Sequence, residues 1–164
     1  MVTALGVAAC VPDPELPMVT LADLGILRLV QEDSDHVTVT ITPTYSGCPA
    51  MREISLDLRR RLQAAGYHNV TVRTELSPPW TSDWITPEGR RKLAAAGIAP
   101  PHPAVRRPAG GPVPLSLTGR PRRVPCPRCG SARTRETAAF GATACRAQYR
   151  CDQCQEPFEY VKEI

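Results

Sequence analysis

Two C-x-x-C pairs, Cys126-Pro127-Arg128-Cys129 and Cys151-Asp152-Gln153-Cys154, stand 21 residues apart in the last quarter of the chain. Two residues between thiolates allow a tight turn that points both sulfurs at one ion. Gly130 permits a positive-φ exit from the first turn, and the second pair closes a tetrahedron. A four-sulfur site has no open coordination position, so its expected contribution is folding energy for a module too small to bury a core. Structural zinc is the expected occupant. Rubredoxin-like iron and an Fe–S cluster stay open as alternatives, because four thiolates accommodate all three. A redox C-x-x-C would follow a strand at a helix start, whereas these flanks are Pro, Gly and aromatic residues suited to metal knuckles.

The chain has 164 residues, enough for one ordinary domain or two small ones. Seven cysteines, five of them between Cys126 and Cys154, point to metal ligation in a reducing compartment rather than to a disulfide scaffold. No long apolar run and no charged-then-apolar leader is visible, so the expectation is a cytoplasmic protein without membrane contact. Aromatic residues are only 5% of the chain, which argues against an aromatic recognition surface. Net charge is +4, too modest to imply nucleic acid. Arg120, Arg122, Arg123, Arg128, Arg133 and Arg135 do gather near the cysteine pairs. Without a base-reading helix or aromatic platform, nucleic acid is still not the expected partner.

Prolines crowd residues 100–121, which therefore read as a Pro/Arg-rich linker between a domain at 1–99 and the cysteine module at 122–164. Within the linker, Val113, Leu115 and Leu117 alternate and suit a short edge strand, or no element at all. The first domain reads as α+β. Leu5–Cys10 suits a short helix; Leu24–Val30 and Val37–Thr42 suit a hairpin closed by the polar turn 32–35. Met51, Ile54, Leu58, Leu62 and Ala65 recur at helical spacing from Pro49 to Ala65, with Gly66 as the stop and Arg52, Asp57, Arg59, Arg60 and Arg61 on the wet face. A third strand follows at Val70–Leu76. Thr86-Pro87 then opens a helix that runs to Ala96 and stops at Gly97.

Several residues carry candidate chemistry. Cys48, in Ser46-Gly47-Cys48-Pro49, is expected at or beside the cap of the long helix, where unsatisfied N–H groups favour a thiolate. A compact cap residue is the equal alternative. Cys145 reads either as a small buried residue at the ribbon hairpin or as an auxiliary thiol able to receive a second metal. His36, His68 and His102 are scattered, so no Cys–His nucleophile is supported. Asp13, Glu15 and Asp23 form a loose acidic group whose simpler role is turn and cap chemistry. Trp80 and Trp84 flank a Pro-rich bend, where capping of the small core competes with a partner-binding face.

Asp13-Pro14-Glu15, Asp23-Leu24-Gly25, Thr42 through Gly47, Cys48 and Pro49, and Ser77-Pro78-Pro79-Trp80, in that order, resemble the Fe–S cluster assembly domain family. With the terminal cysteine pairs added, the pattern resembles the PaaD (also PaaJ) family of phenylacetate-CoA oxygenase subunits. The resemblance implies a two-layer α+β domain followed by a small four-Cys zinc ribbon, and a role in phenylacetate degradation. It also implies partners, the components of a phenylacetyl-CoA epoxidase, especially its Fe–S reductase or its di-iron oxygenase.

Members of this family are expected to mature or deliver a metal centre rather than to epoxidise. The chain agrees in having no Glu-x-x-His pair and no dinucleotide-binding glycine motif. Carried over residue by residue, the resemblance makes Cys48 the thiol for a transient Fe–S cluster or iron, and Cys126, Cys129, Cys151 and Cys154 the ribbon ligands. Family members often have a further cysteine in the tail, about where this chain has Glu163. The expected function is a non-enzymatic maturation factor, with a permanent structural component of the oxygenase and a nucleic-acid-binding ribbon as alternatives. Homo-oligomerisation is left open.

Overall fold

The computed structural model describes residues 3–102 and 123–164. The alternation at Val113, Leu115 and Leu117 and the basic residues Arg120 and Arg122 lie outside the described residues. The chain forms two compact units, one of residues up to Ala96 together with Ile164, the other Gly97–Glu163.

In the first unit, α1 (Ala4–Ala9) starts at Thr3, whose hydroxyl accepts a bond from Gly6 N at 3.1 Å. The long loop after it is part of the core: Val11, Val19 and Leu21 are fully buried. Strands β1 (Leu27–Glu32) and β2 (His36–Ile41) form the expected antiparallel hairpin. β1 starts three residues later than Leu24. The reason is local: Leu24 N and Gly25 N donate back to Thr20 O and Ala22 O, so the chain is still turning there, with Gly25 at φ +67°.

Helix α2 (Met51–Ala64) buries Ile54, Leu58 and Leu62, one per turn, and ends where Gly66 takes φ +99°. It returns the chain to β3 (Asn69–Thr74), which pairs in parallel with β2. The sheet order is β1-β2-β3, so β2 is central, and five of its six residues are buried. Both helices pack on the sheet, α1 against β1 and α2 against β3. A single 3-10 turn (Ser82–Trp84) leads into α3 (Pro87–Ala95), whose cap Thr86 accepts from Gly89 N at 2.9 Å.

The second unit is a four-stranded sheet: β4 (Ile98–Ala99), β5 (Thr134–Ala138), β6 (Arg146–Cys151) and β7 (Pro157–Val161), in the order β4-β7-β6-β5. The sequence places Ile98 and Ala99 at the end of the first domain. In the structure they pair in parallel with Glu159 and Tyr160, so the second unit begins at Gly97, ahead of the linker. Two residues carry no strand signature of their own; only their partner on β7 makes them a strand. The core of this unit is a cluster of eight buried residues in which Tyr149 stacks on Phe158 at 5.8 Å and meets Tyr160 edge-on at 5.5 Å. Arg146, buried at the start of β6, donates to Glu159 at 2.7 Å, which compensates its desolvation.

Candidate metal centre

The two knuckles of the second unit are built alike. Cys126 N donates to Ser131 O and Gly130 N to Cys126 O, closing the first turn; Cys151 N donates to Glu156 O in the second. Four residues after each leading cysteine the backbone is left-handed, at Gly130 (φ +72°) and at Gln155 (φ +63°). Glycine accepts that conformation freely, whereas a residue with a Cβ is strained in it. Gln155 has no glycine signal of its own, and only its offset, matching that of Gly130, marks the position.

These turns bring four sulfurs together. Cys126 Sγ lies 3.7 Å from Cys154 Sγ and Cys129 Sγ lies 3.6 Å from Cys151 Sγ, and all four atoms are within 4.8 Å of one another. A regular tetrahedron with Zn–S bonds of about 2.3 Å has edges of about 3.8 Å, so the sulfurs fit a zinc ion. Cys126 and Cys151 are buried in the aromatic core, and Cys129 and Cys154 face outward.

The charges favour the same conclusion. The backbone N–H of Cys154, 3.5 Å from Cys151 Sγ, pulls that thiol down to about 7 against its burial, helped by Gln153 N–H and the neighbouring thiols. At Cys154 the N–H of Glu156 pulls the other way from burial and the three neighbouring thiols, which prevail and push it up to about 12. Cys129 is likewise raised: the Ser131 N–H favours its thiolate, but burial and the Cys151 and Cys126 side chains outweigh it. Four thiolates this close need a cation between them to ionise together. With four protein ligands, zinc here would have no position for a substrate, and its chemistry would be structural.

Cys145 belongs elsewhere. It precedes β6 while Cys151 ends it, a separation of about 20 Å along an extended strand. Its sulfur is 3.1 Å from the Thr143 hydroxyl, and it joins no metal-capable cluster among the described residues. Cys145 is half-buried at the hairpin. Glu163 accepts from the Tyr160 hydroxyl at 3.1 Å. Arg135, one of the cationic residues near the knuckles, is paired with Asp152 at 3.1 Å.

The other candidate thiol, Cys48, lies in the first unit on the loop from β2 to α2. It is half-buried, and its N–H donates to Tyr45 O at 3.1 Å. The helix cap is Ala50, with no side-chain cap bond, so Cys48 sits two residues ahead of the cap rather than at it. Pro49 likewise precedes the first helical turn. A Cβ on Gly47 would meet only the Tyr45 ring, at 3.7 Å, so packing does not require glycine beside this thiol.

The remaining motif residues hold the architecture. Asp13 accepts from Glu15 N and Leu16 N, each at 2.9 Å, and shapes the buried loop. Asp23 accepts from Thr20 N at 3.0 Å and from Lys92 Nζ at 2.7 Å, while its carbonyl takes Thr86 N, the start of α3. Burial alone would raise the Asp23 carboxyl, but Lys92 and Thr20 hold it below its ordinary value. Gly25 has no room for a side chain, since a Cβ would fall 2.5 Å from Trp84 Cβ. Trp80 is buried and donates to Leu24 O at 2.9 Å, which makes it a cap on the core. Thr42, also buried, donates its N–H to Ile26 O. Lys92, the counter-charge of Asp23, carries no signal in the sequence because the two are 69 residues apart.

Known proteins supply the family. The chain is 43% identical over 154 residues to a putative component of the 1,2-phenylacetyl-CoA epoxidase of Escherichia coli K12, covering 94% of this chain and 87% of that one. It belongs to the PaaD family. Two family models divide the chain: one described as an iron-sulfur cluster assembly protein matches residues 6–73, and one described as the PaaD zinc beta ribbon domain matches 110–162. A Porphyromonas gingivalis Fe-S protein maturation auxiliary factor is 35% identical over 83 residues, 49% of this chain and 78% of its own. The crystal structure of a DUF59 domain of unknown function from Bacillus anthracis has a TM-score of 0.51 at 26% identity, covering 55% of this chain and 87% of that one. The α+β domain and the ribbon named by the sequence motifs are thus both present. No helix among the described residues is long and apolar enough to cross a membrane.

Proposed function

We propose that this member of the PaaD family is a non-catalytic, cytoplasmic accessory factor of a phenylacetyl-CoA epoxidase system, assisting assembly of an Fe–S or iron centre in the reductase or the di-iron oxygenase. The observation that carries it is the separation of two kinds of thiol. Four are locked in a closed cage, whereas Cys48 sits on a loop inside the segment that matches the iron-sulfur assembly model. A single protein ligand releases iron far more readily than a four-sulfur cage. Handover is then ligand exchange: a client thiol replaces Cys48 Sγ on iron, its proton passes to the departing Cys48 thiolate, and no electrons move.

The test is coexpression of the reductase and the oxygenase with wild type or Cys48→Ser, followed by iron and sulfide analysis of each purified client. A severalfold drop in occupancy with the variant is the expected result, and equal occupancy would sink the proposal. The E. coli relative is named as part of the epoxidase itself, which favours a second reading, a permanent structural component of the oxygenase. That reading requires stoichiometric copurification with the oxygenase and an activity loss unrelated to metal content.

A further inference from the structure

The two sheets have four edge strands among the described residues, and three of these are blunted. β1 breaks its register with β2 between Leu27 and Leu29, and β5 breaks its register with β6 between Glu136 and Ala138. β4 is two residues long. Bulges and short strands are devices that keep an edge from pairing with another chain. β3 has neither. All six of its residues stay in register with β2, and Asn69–Leu76 contains no Pro, Gly or Lys.

The ladder to β2 runs past the end of β3, since Glu75 N donates to Ile41 O at 2.9 Å. The hydrogen-bonding groups of a strand alternate in direction, so Val72 and Thr74 turn theirs outward, away from β2. Among the described residues no strand meets that side. The side chains there are open as well. Arg73, Thr74, Glu75 and Leu76 are all exposed, Leu76 at 58%. Arg73 and Glu75 form no ion pair among the described residues.

Charges of one sign along an edge would repel a second copy. Here the two signs stand at equal distances on either side of Thr74. An antiparallel pair of β3 strands centred on Thr74 therefore sets Arg73 opposite Glu75 of the other copy, and Glu75 opposite its Arg73. These fall at the narrow positions of the ladder, where facing side chains approach closest. The same register puts each exposed Leu76 opposite Val72 of the other copy. Moving the centre by one residue would oppose Arg73 to Arg73, or Glu75 to Glu75.

We propose that this edge docks a second copy of the chain. Two β3 strands pair antiparallel about Thr74, giving a two-fold dimer with one continuous sheet in the order β1-β2-β3-β3-β2-β1. The contact uses neither Cys48 nor the four-sulfur site, so it stands apart from the proposed transfer of iron.

The test is sedimentation velocity on the full zinc-loaded chain, with reductant present so that its free cysteines form no bridge between copies. Wild type is expected to pass from monomer to dimer as its concentration rises. Arg73→Glu alone and Glu75→Arg alone should each weaken dimerisation by about tenfold or more, because two attractive pairs become two repulsive ones. Mixed together, these two variants should form a heterodimer, since each reversal then faces the opposite charge. A double variant carrying both reversals should recover the homodimer. Both positions are exposed, and unchanged melting and zinc content would certify the fold of every variant. A monomer at every concentration, a dimer indifferent to both reversals, or reversals that fail to rescue one another overturns the proposal.

Discussion

The first unit is held by aliphatic side chains drawn from three helices, the central strand β2 and a buried loop, whereas the second has a cluster of eight buried residues, two of which, Cys126 and Cys151, belong to the four-sulfur site. A core that small falls below what usually sustains a domain, and a metal then supplies the missing stability. In the first unit the loss of one contact is a fraction of the total. In the ribbon two of the four ligands are themselves core residues, so losing the ion and losing the packing are one event.

That difference is sharpest under metal removal. Cys126→Ser, or a strong zinc chelator on wild type, is expected to unfold the ribbon outright, since structural zinc contributes on the order of 10 kcal/mol to such modules. Far-UV circular dichroism and hydrogen exchange should show the loss of β5–β7 protection with α1, α2 and α3 intact; a single melting transition for both units would break the comparison. Leu58→Ala is the converse probe. It removes a fully buried side chain of α2, should cost about 2–5 kcal/mol in the first unit by denaturant melting, and should leave zinc content unchanged.

Lys92→Met should cost less, about 1 kcal/mol at pH 7, because it removes one partly exposed charge partner of Asp23. Asp23 has a depressed carboxyl in the folded state, so its contribution is fully present above about pH 4 and is lost as pH falls through the folded value. In the variant the Asp23 titration midpoint, followed by NMR, should move up and the acid-dependent loss should shrink. Gln155→Gly is the smallest effect. It relieves a left-handed residue in the second knuckle at the loss of an exposed bond to Asp152 O, so a net gain of about 0.5 kcal/mol is expected in ribbon melting. No gain would mean that the two knuckles are not equivalent in strain.

Much of this was legible in the chain. The stripe Ile54, Leu58, Leu62 announces α2 because helical periodicity is local, and the β-branched run at 37–41 announces β2 for the same reason. The four ribbon ligands were legible because a two-residue knuckle is chemistry written over four positions. Cys48 was found as a thiol but not placed: whether the helix begins at Pro49 or at Met51 depends on how the loop from Thr42 closes, which no four-residue window contains.

Short-range geometry thus accounts for the features that a few neighbouring residues can dictate: the knuckles, the amphipathic helix, the hairpin, the cap at Thr86 and the stop at Gly66. Tertiary structure alone decided the pairings between distant segments. It made β2 and β3 parallel neighbours, gave Ile98 and Ala99 to the ribbon sheet, and paired Asp23 with Lys92. Each of these depends on burial and hydrogen bonding between residues dozens of positions apart. Their energy exists only once the chain has closed those loops, so no local pattern records them.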